Sequence, residues 1–313
     1  MKKKKIKQAK PAAIGKNPEE MFMSGHSACP GCGAAVAMRH ITNAVGKNTI
    51  ISLGTGCMEV VSTSYPCTSW KIPTIHSAFE NTAATAAGIE AALKSIGKEK
   101  EIKVVAIAGD GGTFDIGLQA LSGMLERGHK VLYICYDNEA YMNTGIQRSG
   151  ATPLHAATTT TPYLHKKHGK LEWKKNMPFI IASHNNNIYV ATANIGYFAD
   201  FDEKLRKAIQ HLEKGPAYLQ VLTPCVPGWK YNENMTIRLA KLATETKIYP
   251  LYEIEEGKIK ISPITGAKPV ESYLKEQGRF SHLSKEETNE IQARVDRDYE
   301  KLKKLSSLNE KIF

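Results

Sequence analysis

The segment Cys29-Pro30-Gly31-Cys32 and two further cysteines, Cys57 and Cys225, are the residues that most directly suggest metal chemistry. Two cysteines separated by two residues can hold one metal centre, form a redox disulfide or have no reactive role. Thioredoxin-like chemistry is disfavoured, because the pair follows an irregular N-terminal segment rather than a strand. Cys57 and Cys225 each follow a strand-like run, so all four cysteines could converge on a cubane iron–sulfur cluster or on zinc. Spacing alone leaves the choice between cluster and zinc open.

The other two cysteines have different surroundings. Cys135 lies within an apolar run, which is typical of a core residue. Cys67, in Tyr65-Pro66-Cys67, is the one other candidate metal ligand. The lysine-rich start, Met1–Lys10, lacks an apolar stretch, so we expect no secretory signal and a cytoplasmic location. In that compartment, six cysteines favour metal binding or catalysis over a disulfide scaffold.

A second set of residues, Gly109-Asp110-Gly111 and Asn138, could bind a diphosphate and a divalent cation. Glycines let the backbone approach phosphate oxygens, and a helix beginning near Ile116 would offer free N–H groups to an anion. Asp110 supplies a carboxylate oxygen, and Asn138 follows 28 residues later at the end of the next strand. Mg²⁺ prefers near-octahedral oxygen ligands and shares them with substrate phosphates. A glycine turn capped by asparagine is the simpler alternative, but the spacing and the strand context favour a diphosphate–magnesium site.

The elements that must position these residues are short apolar runs that end in glycine-rich or polar turns. The runs lack clear alternation, which is typical of strands covered on both faces of a sheet. Their alternation with helical patterns predicts right-handed crossovers and an α/β fold, with a mostly parallel sheet and helices on both faces. Ligands bind at the carboxyl ends of such strands, where the candidate residues lie. The predicted strands are Thr49–Leu53, Lys103–Ala108, Lys130–Tyr136 and Ala217–Leu222, and the predicted helices are Gly33–Val45, Asn81–Ile96, Ile116–Arg127 and Phe201–Glu213.

Changes in composition along the sequence predict three parts. A basic N-terminal tail covers residues 1–24, the domain that carries the candidate residues covers 25–245, and a C-terminal arm covers 246–313. Within the middle part, Thr152–Met177 is rich in threonine, histidine and lysine and is predicted to be a long loop. Loops of that length are uncommon and are often functional or interfacial.

The C-terminal arm carries no chemical motif. Glu253–Ile261 is predicted to form a short hairpin that turns at Gly257. Ser284 and Glu287 match the capping-box pattern that opens a helix. We therefore expect an arm of hairpin and charged terminal helix that packs on the domain or on another subunit.

Composition narrows the possible partners. With 42% hydrophobic and 23% charged residues, the 313-residue chain is ordinary for a globular protein. Its longest apolar runs, Val104–Ala108 and Val131–Tyr136, are far shorter than the roughly 20 residues that span a bilayer. The net charge of +11 has no nucleic-acid-binding signature beside it. We expect a solvated lysine-rich surface with no nucleic-acid or membrane partner, and an acidic electron carrier as the specific alternative.

Five ordered motifs give the sequence a family resemblance. They resemble the beta, thiamine-diphosphate-binding subunit of the 2-oxoacid:ferredoxin oxidoreductases, closest to pyruvate:ferredoxin oxidoreductase (pyruvate synthase). The similarity extends from about Gly25 to Trp229 and weakly to the C-terminus, and the stretch Leu154-His155-Ala156 is less typical. The motifs are Gly25-His26 through Gly33, Gly54 through Val60, Phe79-Glu80-Asn81, Gly109 through Thr113, and Tyr136 through Gly145.

The resemblance implies a complete set of site residues. It implies a [4Fe–4S] cluster on Cys29, Cys32, Cys57 and Cys225, and a Mg²⁺ ion bound by Asp110, Asn138 and the carbonyl of Ala140. Asn143 would be catalytic, reaching the reacting carbon or the substrate carboxylate, whereas structural roles are expected for His26 and His76. The residues implied to bind thiamine diphosphate are Gly56, Cys57, Glu80, Gly109, Asp110, Gly111, Gly112, Asn138, Ala140, Tyr141 and Asn143.

The implied activity is the reversible, thiamine-dependent oxidative decarboxylation of pyruvate to acetyl-CoA and CO₂, with electrons passed through [4Fe–4S] clusters to ferredoxin. The partners implied are a pyrimidine-binding alpha subunit that supplies the activating glutamate, ferredoxin-like and gamma subunits, and coenzyme A where pyruvate is the substrate. Oxalate, used without coenzyme A, or another 2-oxoacid is the alternative. A zinc-stabilised scaffold would not need Asp110, Asn138 and Asn143, and a thiamine enzyme without redox chemistry would not need the cysteines. The presence of both sets argues against each of these classes.

Overall fold

The computed structural model describes residues 20–164, 167–184, 187–264 and 266–312. Within these ranges the strands are β1 (Thr49–Gly54), β2 (Thr74–Ser77), β3 (Lys103–Gly109), β4 (Val131–Asp137), β5 (Tyr163–Leu164), β6 (Lys167–His168), β7 (Tyr189–Asn194), β8 (Ala217–Leu222), β9 (Tyr252–Glu255) and β10 (Lys258–Ile261). Eight of these described strands form one sheet in the order β10-β9-β7-β8-β4-β3-β1-β2, and β5 and β6 form a separate antiparallel pair. The predicted basic tail, 1–24, lies largely outside the described residues.

The centre of the sheet confirms the predicted parallel α/β architecture. Strands β2, β1, β3, β4, β8 and β7 run parallel, with Ile51 opposite Val105 and Ile107 opposite Ile134. Side chains on both faces of β4 are buried, which explains why its sequence lacks alternation. Because these strands are parallel, their carboxyl ends share one edge of the sheet, and the turns that follow them meet there.

Helices cover both faces of the sheet, as predicted. α1 and α6 lie over one face, and α3, α4 and α5 lie over the other. No helix in the described ranges combines the length and apolar character needed to cross a membrane. The helices are α1 (Gly33–Val45), α2 (Cys57–Ser62), α3 (Thr82–Ser95), α4 (Leu118–Glu126), α5 (Met177–Ala182), α6 (Phe198–His211), α7 (Val226–Trp229), α8 (Thr236–Glu245), α9 (Glu271–Leu274) and α10 (Lys285–Leu308).

One predicted helix is preceded by a turn that the sequence did not indicate. The helix predicted from Ile116 to Arg127 corresponds to α4, and a π-helical turn over Gly112–Ile116 lies in front of it. A Cβ atom at Gly117 would overlap the carbonyl oxygen of Gly112. The wide turn therefore depends on glycine at the point where the chain leaves the site edge, a backbone requirement that apolar periodicity does not reveal.

The C-terminal region is built into the sheet. The predicted hairpin is confirmed as the antiparallel pair β9–β10, and β9 also pairs antiparallel with β7, with Ile254 opposite Val190. The predicted capping box is present, because Ser284 accepts from the Glu287 N–H and the Glu287 carboxylate accepts from the Ser284 N–H. Helix α10 packs on β10, so the hairpin and the terminal helix share the core of the preceding residues. The boundary between parts at residue 245 stays a prediction.

Glu253 of β9 anchors this hairpin, and we expect Glu253→Gln to weaken the fold in a pH-dependent way. Burial acts to raise the pKa of Glu253, but hydrogen bonds from Lys207 and Tyr189, at 2.7 and 2.8 Å, outweigh it and leave the pKa below its usual value. A lowered pKa means that this stabilisation is present above the unfolded-state value and is lost as the pH falls through the folded-state value. The variant should therefore be about 1–2 kcal/mol less stable at neutral pH, and closer to the parent at pH 3.

Urea unfolding of the two proteins at both pH values measures this difference. The matched control is Glu300→Gln on the solvent side of α10, whose carboxylate pairs with Lys303 in full exposure and should contribute little. An equal loss of stability at both pH values would contradict the predicted role of the Glu253 charge.

Candidate active site

A cleft opens where β1, β2, β3 and β4 end. Four separate turns contribute to it, and they meet because the parallel strands end at one edge. Most of the residues expected to bind a cofactor line this cleft. The lining residues are Thr55, Gly56, Cys57, Phe79, Gly109, Gly111, Gly112, Tyr136, Asn138, Ala140, Tyr141, Met142, Asn143 and Thr144.

Three polar groups have the arrangement of a cation site: Asn138 and Ala140, which line the cleft, and Asp110, which is fully buried beside them. One terminal atom of the Asn138 amide lies 2.9 Å from Asp110 Oδ1 and 2.9 Å from the carbonyl oxygen of Ala140. If that atom is nitrogen, it donates to both oxygens; if it is oxygen, three oxygens face one another and need a cation between them. Neighbouring ligands around an octahedral Mg²⁺ at about 2.1 Å lie about 3 Å apart, so the observed spacing fits such an ion.

The surroundings of Asp110 make a buried negative site. Asp110 and Asp137 are both fully buried. Burial and then the Asp137 carboxylate raise the pKa of Asp110 well above its usual range. The Ser149 hydroxyl donates to Asp110 Oδ2 at 2.5 Å, and the Asn138 N–H donates to Oδ1 at 3.3 Å. A divalent cation beside Asp110 would compensate the repulsion between the buried carboxylates of Asp110 and Asp137.

The turn that carries Asn138 and Ala140 is held by buried ion pairs. Glu139 has a left-handed φ of 69° and does not line the cleft. Its carboxylate accepts from Arg279 at 2.5 Å and from Lys174 at 3.2 Å. Lys174 also donates to Asp137 at 2.6 Å, so one lysine spans both carboxylates of the turn. These ion pairs fix the backbone of the turn that carries Asn138 and Ala140.

Glycines form the wall of the cleft because neighbouring aromatic rings leave no space for a Cβ atom. At Gly111 a Cβ would overlap the ring of Tyr141, whose hydroxyl donates to the Gly111 carbonyl at 2.9 Å. At Gly56 it would overlap the hydroxyl of Tyr136. At Gly112 it would lie 3.1 Å from the carbonyl oxygen of Phe79. Backbone is therefore the surface that this wall offers to a bound phosphate group.

The Gly111→Ala variant is expected to bind thiamine diphosphate at least about 10-fold more weakly, because the added methyl group must displace Tyr141 from the cleft wall. Titration of cofactor binding by intrinsic fluorescence measures the change. Gly88→Ala is the matched control: its Cβ meets no atom within 4 Å, and alanine within α3 should raise stability by up to about 1 kcal/mol without affecting binding. Equal affinities for the two variants would contradict the role assigned to Gly111.

The four candidate cysteines lie in three segments that contact one another. The loop of Cys29 and Cys32 packs closely against the segment of Cys225, since the Gly33 N–H donates to the Pro224 carbonyl at 3.2 Å. A Cβ at Gly33 would lie 2.8 Å from that oxygen. Cys57 begins α2 directly after the cleft-lining Gly56, so the cysteine region adjoins the cleft. Met142, which lines the cleft, packs against Gly228 in the segment that follows Cys225.

The cysteine thiols influence one another electrostatically. Burial, and then the nearby Cys225, Cys32 and Cys29 in that order, raise the pKa of Cys57 to about 12. Burial likewise raises the pKa of Cys225 to about 12, against opposing effects of the Gly228 backbone and Arg279. Such thiols ionise only when a positive centre compensates them, as bound iron or zinc does. Within the described ranges, no three His, Cys, Asp or Glu side chains are close enough together to hold a single metal ion.

The other predicted residues lie in varied places. Asn143 is exposed in the turn at the cleft rim. Glu80 is exposed in the turn before α3 and does not line the cleft, so its expected cofactor contact stays a prediction. Cys67 is exposed, its N–H bonded to the Ser64 carbonyl, and Cys135 is buried in β4 as expected.

The two histidines near the motifs make structural contacts. His26 stacks on Phe22 at 5.1 Å. His76 lies 2.7 Å from the Thr55 hydroxyl and 3.5 Å from the Glu59 carboxylate, at the outer edge of the cleft. These contacts fit the structural roles expected for both residues.

Several residues at the site were missed from the sequence. Lys174, Trp229 and Arg279 surround the Asn138 turn but belong to no motif, and Arg279 is 140 residues from its partner Glu139. Ser149 holds Asp110 from a loop that follows the last motif. Trp229, a tryptophan directly after the Cys225 segment, is the one that a closer reading of the sequence could have flagged.

Comparisons with known proteins agree with this geometry. Residues 54–221 match the family model described as "Thiamine pyrophosphate enzyme, C-terminal TPP binding domain". The pyruvate synthase subunit PorB of Methanothermobacter thermautotrophicus is 53% identical over 284 residues, which cover 90% of this chain and 97% of that relative. The ketoisovalerate oxidoreductase subunit VorB of Pyrococcus abyssi is 46% identical over 302 residues, which cover 93% and 94%.

A solved structure shares the fold. The 2-oxoglutarate:ferredoxin oxidoreductase of Magnetococcus marinus, with 2-oxoglutarate, coenzyme A and succinyl-CoA bound, matches 70% of this chain and 79% of its own at a TM-score of 0.56 and 22% identity. The fold, the thiamine-binding domain and the high identity of the relatives lead to one conclusion. The chain belongs to the family of the beta, thiamine-diphosphate-binding subunits of the 2-oxoacid:ferredoxin oxidoreductases.

Proposed function

We propose that this subunit, within its hetero-oligomeric complex, converts pyruvate and coenzyme A to acetyl-CoA, CO₂ and a proton, with two electrons passed through a [4Fe–4S] cluster to ferredoxin. The observation that carries the proposal is the position of Cys57, which lines the same cleft as the candidate cation-site residues Asn138 and Ala140. A thiamine cofactor and a redox centre in these places would be direct neighbours. The relatives named pyruvate synthase, at 53% identity, favour pyruvate over a branched 2-oxoacid.

Asp110, Asn138 and the Ala140 carbonyl would hold Mg²⁺, which would in turn hold the diphosphate of the cofactor. The mutual spacing of 2.9 Å around the Asn138 amide supports this role. Bound thiamine diphosphate supplies an electron sink for decarboxylation at the carbon next to a ketone. The protein's part would be to hold it: the backbone of Gly109 and Gly111 would face the phosphates, and the Tyr141 ring packs against Gly111.

Cys29, Cys32, Cys57 and Cys225 would ligate the cluster. The electrostatic effects of Cys225, Cys32 and Cys29 on the Cys57 thiol support this assignment. A [4Fe–4S] cluster takes one thiolate on each iron, so it does not require three cysteines around a single metal position. Cys57 and Cys225 are half-buried, and this shielding from water keeps the redox site away from competing reactions.

Asn143 would contact the substrate. Its amide lies at the exposed rim of the cleft, where it could donate to the carboxylate or the carbonyl oxygen of a 2-oxoacid. The remaining walls and the activating glutamate would come from the pyrimidine-binding partner subunit. The chain alone should therefore be inactive, and its complex with alpha, gamma and ferredoxin-like subunits should be active.

The test is an anaerobic assay of the complex purified through this chain, following viologen reduction. Pyruvate with coenzyme A should give the highest kcat/KM, and reduction with pyruvate should require coenzyme A. Hydrophobic pockets discriminate about 10–200-fold per methylene group, so 3-methyl-2-oxobutanoate should be at least about tenfold poorer.

The same assay separates the alternatives. A branched 2-oxoacid with a higher kcat/KM than pyruvate would identify a branched substrate, in line with the ketoisovalerate oxidoreductase relative at 46% identity. Reduction with oxalate in the absence of coenzyme A would identify oxalate as the substrate instead of pyruvate. Absence of iron from the active complex would overturn the cluster assignment.

A further inference from the structure

We infer that Arg279, in the motif-free C-terminal region, is a positioning residue that connects the magnesium-binding turn to the cluster-binding segment of Cys225; this rests on the proposed function. Its guanidinium group contacts both segments and belongs to neither. Arg279 is only 2% exposed, so each of these contacts is shielded from water. None of its neighbours in the C-terminal region carries a chemical motif that would mark it from the sequence.

The first contact fixes the metal-binding turn. Arg279 donates to the Glu139 carboxylate at 2.5 Å, and Glu139 lies between the ligand residues Asn138 and Ala140. Asn138 and Ala140 line the cleft, whereas the Glu139 side chain between them contacts the buried Arg279 and Lys174. A buried, charge-assisted hydrogen bond to Glu139 therefore sets the orientation of both ligands at once.

The second contact reaches the cysteine segment. The guanidinium carbon lies 4.0 Å from the ring centre of Trp229, which is fully buried. The Trp229 indole N–H donates to the Asn138 carbonyl at 2.8 Å, and the Trp229 backbone N–H donates to the Cys225 carbonyl at 2.9 Å. One tryptophan, held in place by Arg279, thus joins a proposed magnesium ligand to a proposed cluster ligand.

Arg279 is itself held rigidly. Its Nε donates to Gln277 Oε1 at 2.9 Å, its carbonyl accepts from the Ala157 N–H at 3.0 Å, and the neighbouring Gly278 N–H donates to the Lys230 carbonyl at 3.0 Å. Lys174 also neutralises Glu139, but its described contacts lie on the side of Asp137, Phe114 and Tyr249. Arg279 therefore has a geometric role that a second lysine does not duplicate.

A planar guanidinium can donate to a carboxylate and stack on an indole in the same position, whereas an ammonium group cannot do both. Loss of the hydrogen bond to Glu139 and of the stacking on Trp229 should therefore loosen both the magnesium-binding turn and the Cys225 segment. Loss of the positive charge should in addition disfavour the more electron-rich, reduced cluster and shift its midpoint potential to a more negative value. The two consequences separate geometry from charge.

The experiment compares Arg279→Lys, Arg279→Met and the charge-balanced double variant Arg279→Met/Glu139→Gln in the purified complex. Arg294→Met is the matched control: Arg294 also pairs with a carboxylate, Asp298, and faces a tryptophan, Trp173, at 5.3 Å. The readouts are the Mg²⁺-dependent affinity for thiamine diphosphate, followed by fluorescence, and the cluster midpoint potential, followed by EPR in a redox titration.

Arg279→Lys should weaken cofactor affinity about 10–100-fold and leave the potential close to the parent value. Arg279→Met should weaken affinity similarly and shift the potential negative. The charge-balanced double variant should weaken affinity similarly but leave the potential close to the parent value, and it replaces the single variant if that one does not assemble. Arg294→Met should match the parent in both readouts. Parent-like affinity in Arg279→Lys, or parent-like values for every assembled Arg279 variant, would overturn the inference. Absence of iron or thiamine binding in the unmodified complex would instead overturn the proposed function.

Discussion

The Asp110→Asn variant is expected to lose about 10³-fold or more of kcat/KM in pyruvate-dependent viologen reduction, since metal-ion stabilisation is worth several kcal/mol. The change keeps the shape of the side chain and removes the one carboxylate that faces the Asn138 amide and the Ala140 carbonyl. An amide in its place leaves Mg²⁺ without a charged protein ligand. Thiamine diphosphate should then bind weakly whatever the Mg²⁺ concentration.

The same variant should have an opposite effect on the metal-free protein. Asp110 and Asp137 are fully buried and repel each other, with Lys174 as the nearby cation. Because a buried charge without a compensating partner is destabilising, metal-free Asp110→Asn should melt at the same temperature as the metal-free parent or higher. Mg²⁺ and thiamine diphosphate at about 100 times their dissociation constant should add about 2.7 kcal/mol to the parent alone.

Thermal melts with and without Mg²⁺ and cofactor compare the melting temperatures of the parent and the variant. The control is Asp202→Asn on α6, whose carboxylate lies 3.1 Å from His40 on the outer face of the molecule. That variant should retain activity and the ligand-induced increase in melting temperature. A Mg²⁺-dependent increase in Asp110→Asn equal to that of the parent would remove Asp110 from the metal site.

The Cys225→Ser variant is expected to abolish electron transfer while retaining thiamine binding. Serine keeps the size of the side chain but is a poor ligand for iron, so the complex should lose one cluster's worth of iron. Cys225 lies at the start of α7 and does not line the cleft, whereas the cofactor-binding turns belong to β3 and β4. Viologen reduction should fall below detection, and cofactor affinity should change by less than about tenfold.

Iron analysis and EPR of the reduced complex give the readout. Cys67→Ser is the matched control, because Cys67 is exposed and is the one rival ligand suggested by the sequence. It should retain the iron content, the EPR signal and the activity of the parent. Loss of the cluster in Cys67→Ser and its retention in Cys225→Ser would exchange the two cysteines in the ligand set.

The sequence by itself determined the placement of the chemical groups at one edge of the sheet. Asp110 and Asn138 each follow an apolar run whose length and flanking residues favour a buried strand, and parallel strands bring their carboxyl ends together whatever the details of packing. The same reasoning places Cys57 after β1 and Cys225 after β8. Local rules were equally sufficient for α1, for the hairpin around Gly257 and for the capping box at Ser284, since each depends on residues close together in the chain.

Elements whose stability depends on distant partners were not visible in the sequence. Strand β7 contains Thr192 and Asn194, which interrupt its apolar pattern. The Thr192 hydroxyl donates to the Pro250 carbonyl at 2.9 Å, and the Asn194 amide donates to the Ala240 carbonyl at 2.5 Å. Buried polar residues are acceptable once such partners exist, and only the folded chain supplies them.

The tertiary structure alone decided how the site is supported. Glu139 faces Arg279 from 140 residues away, and Trp229 spans the Asn138 and Cys225 segments. Glu80, a carboxylate in a family motif, lies exposed outside the cleft lining. Spacing predicts which groups meet at a strand end, because that depends on topology. Which buried charges neutralise one another depends on packing between distant segments, and local sequence patterns do not record it.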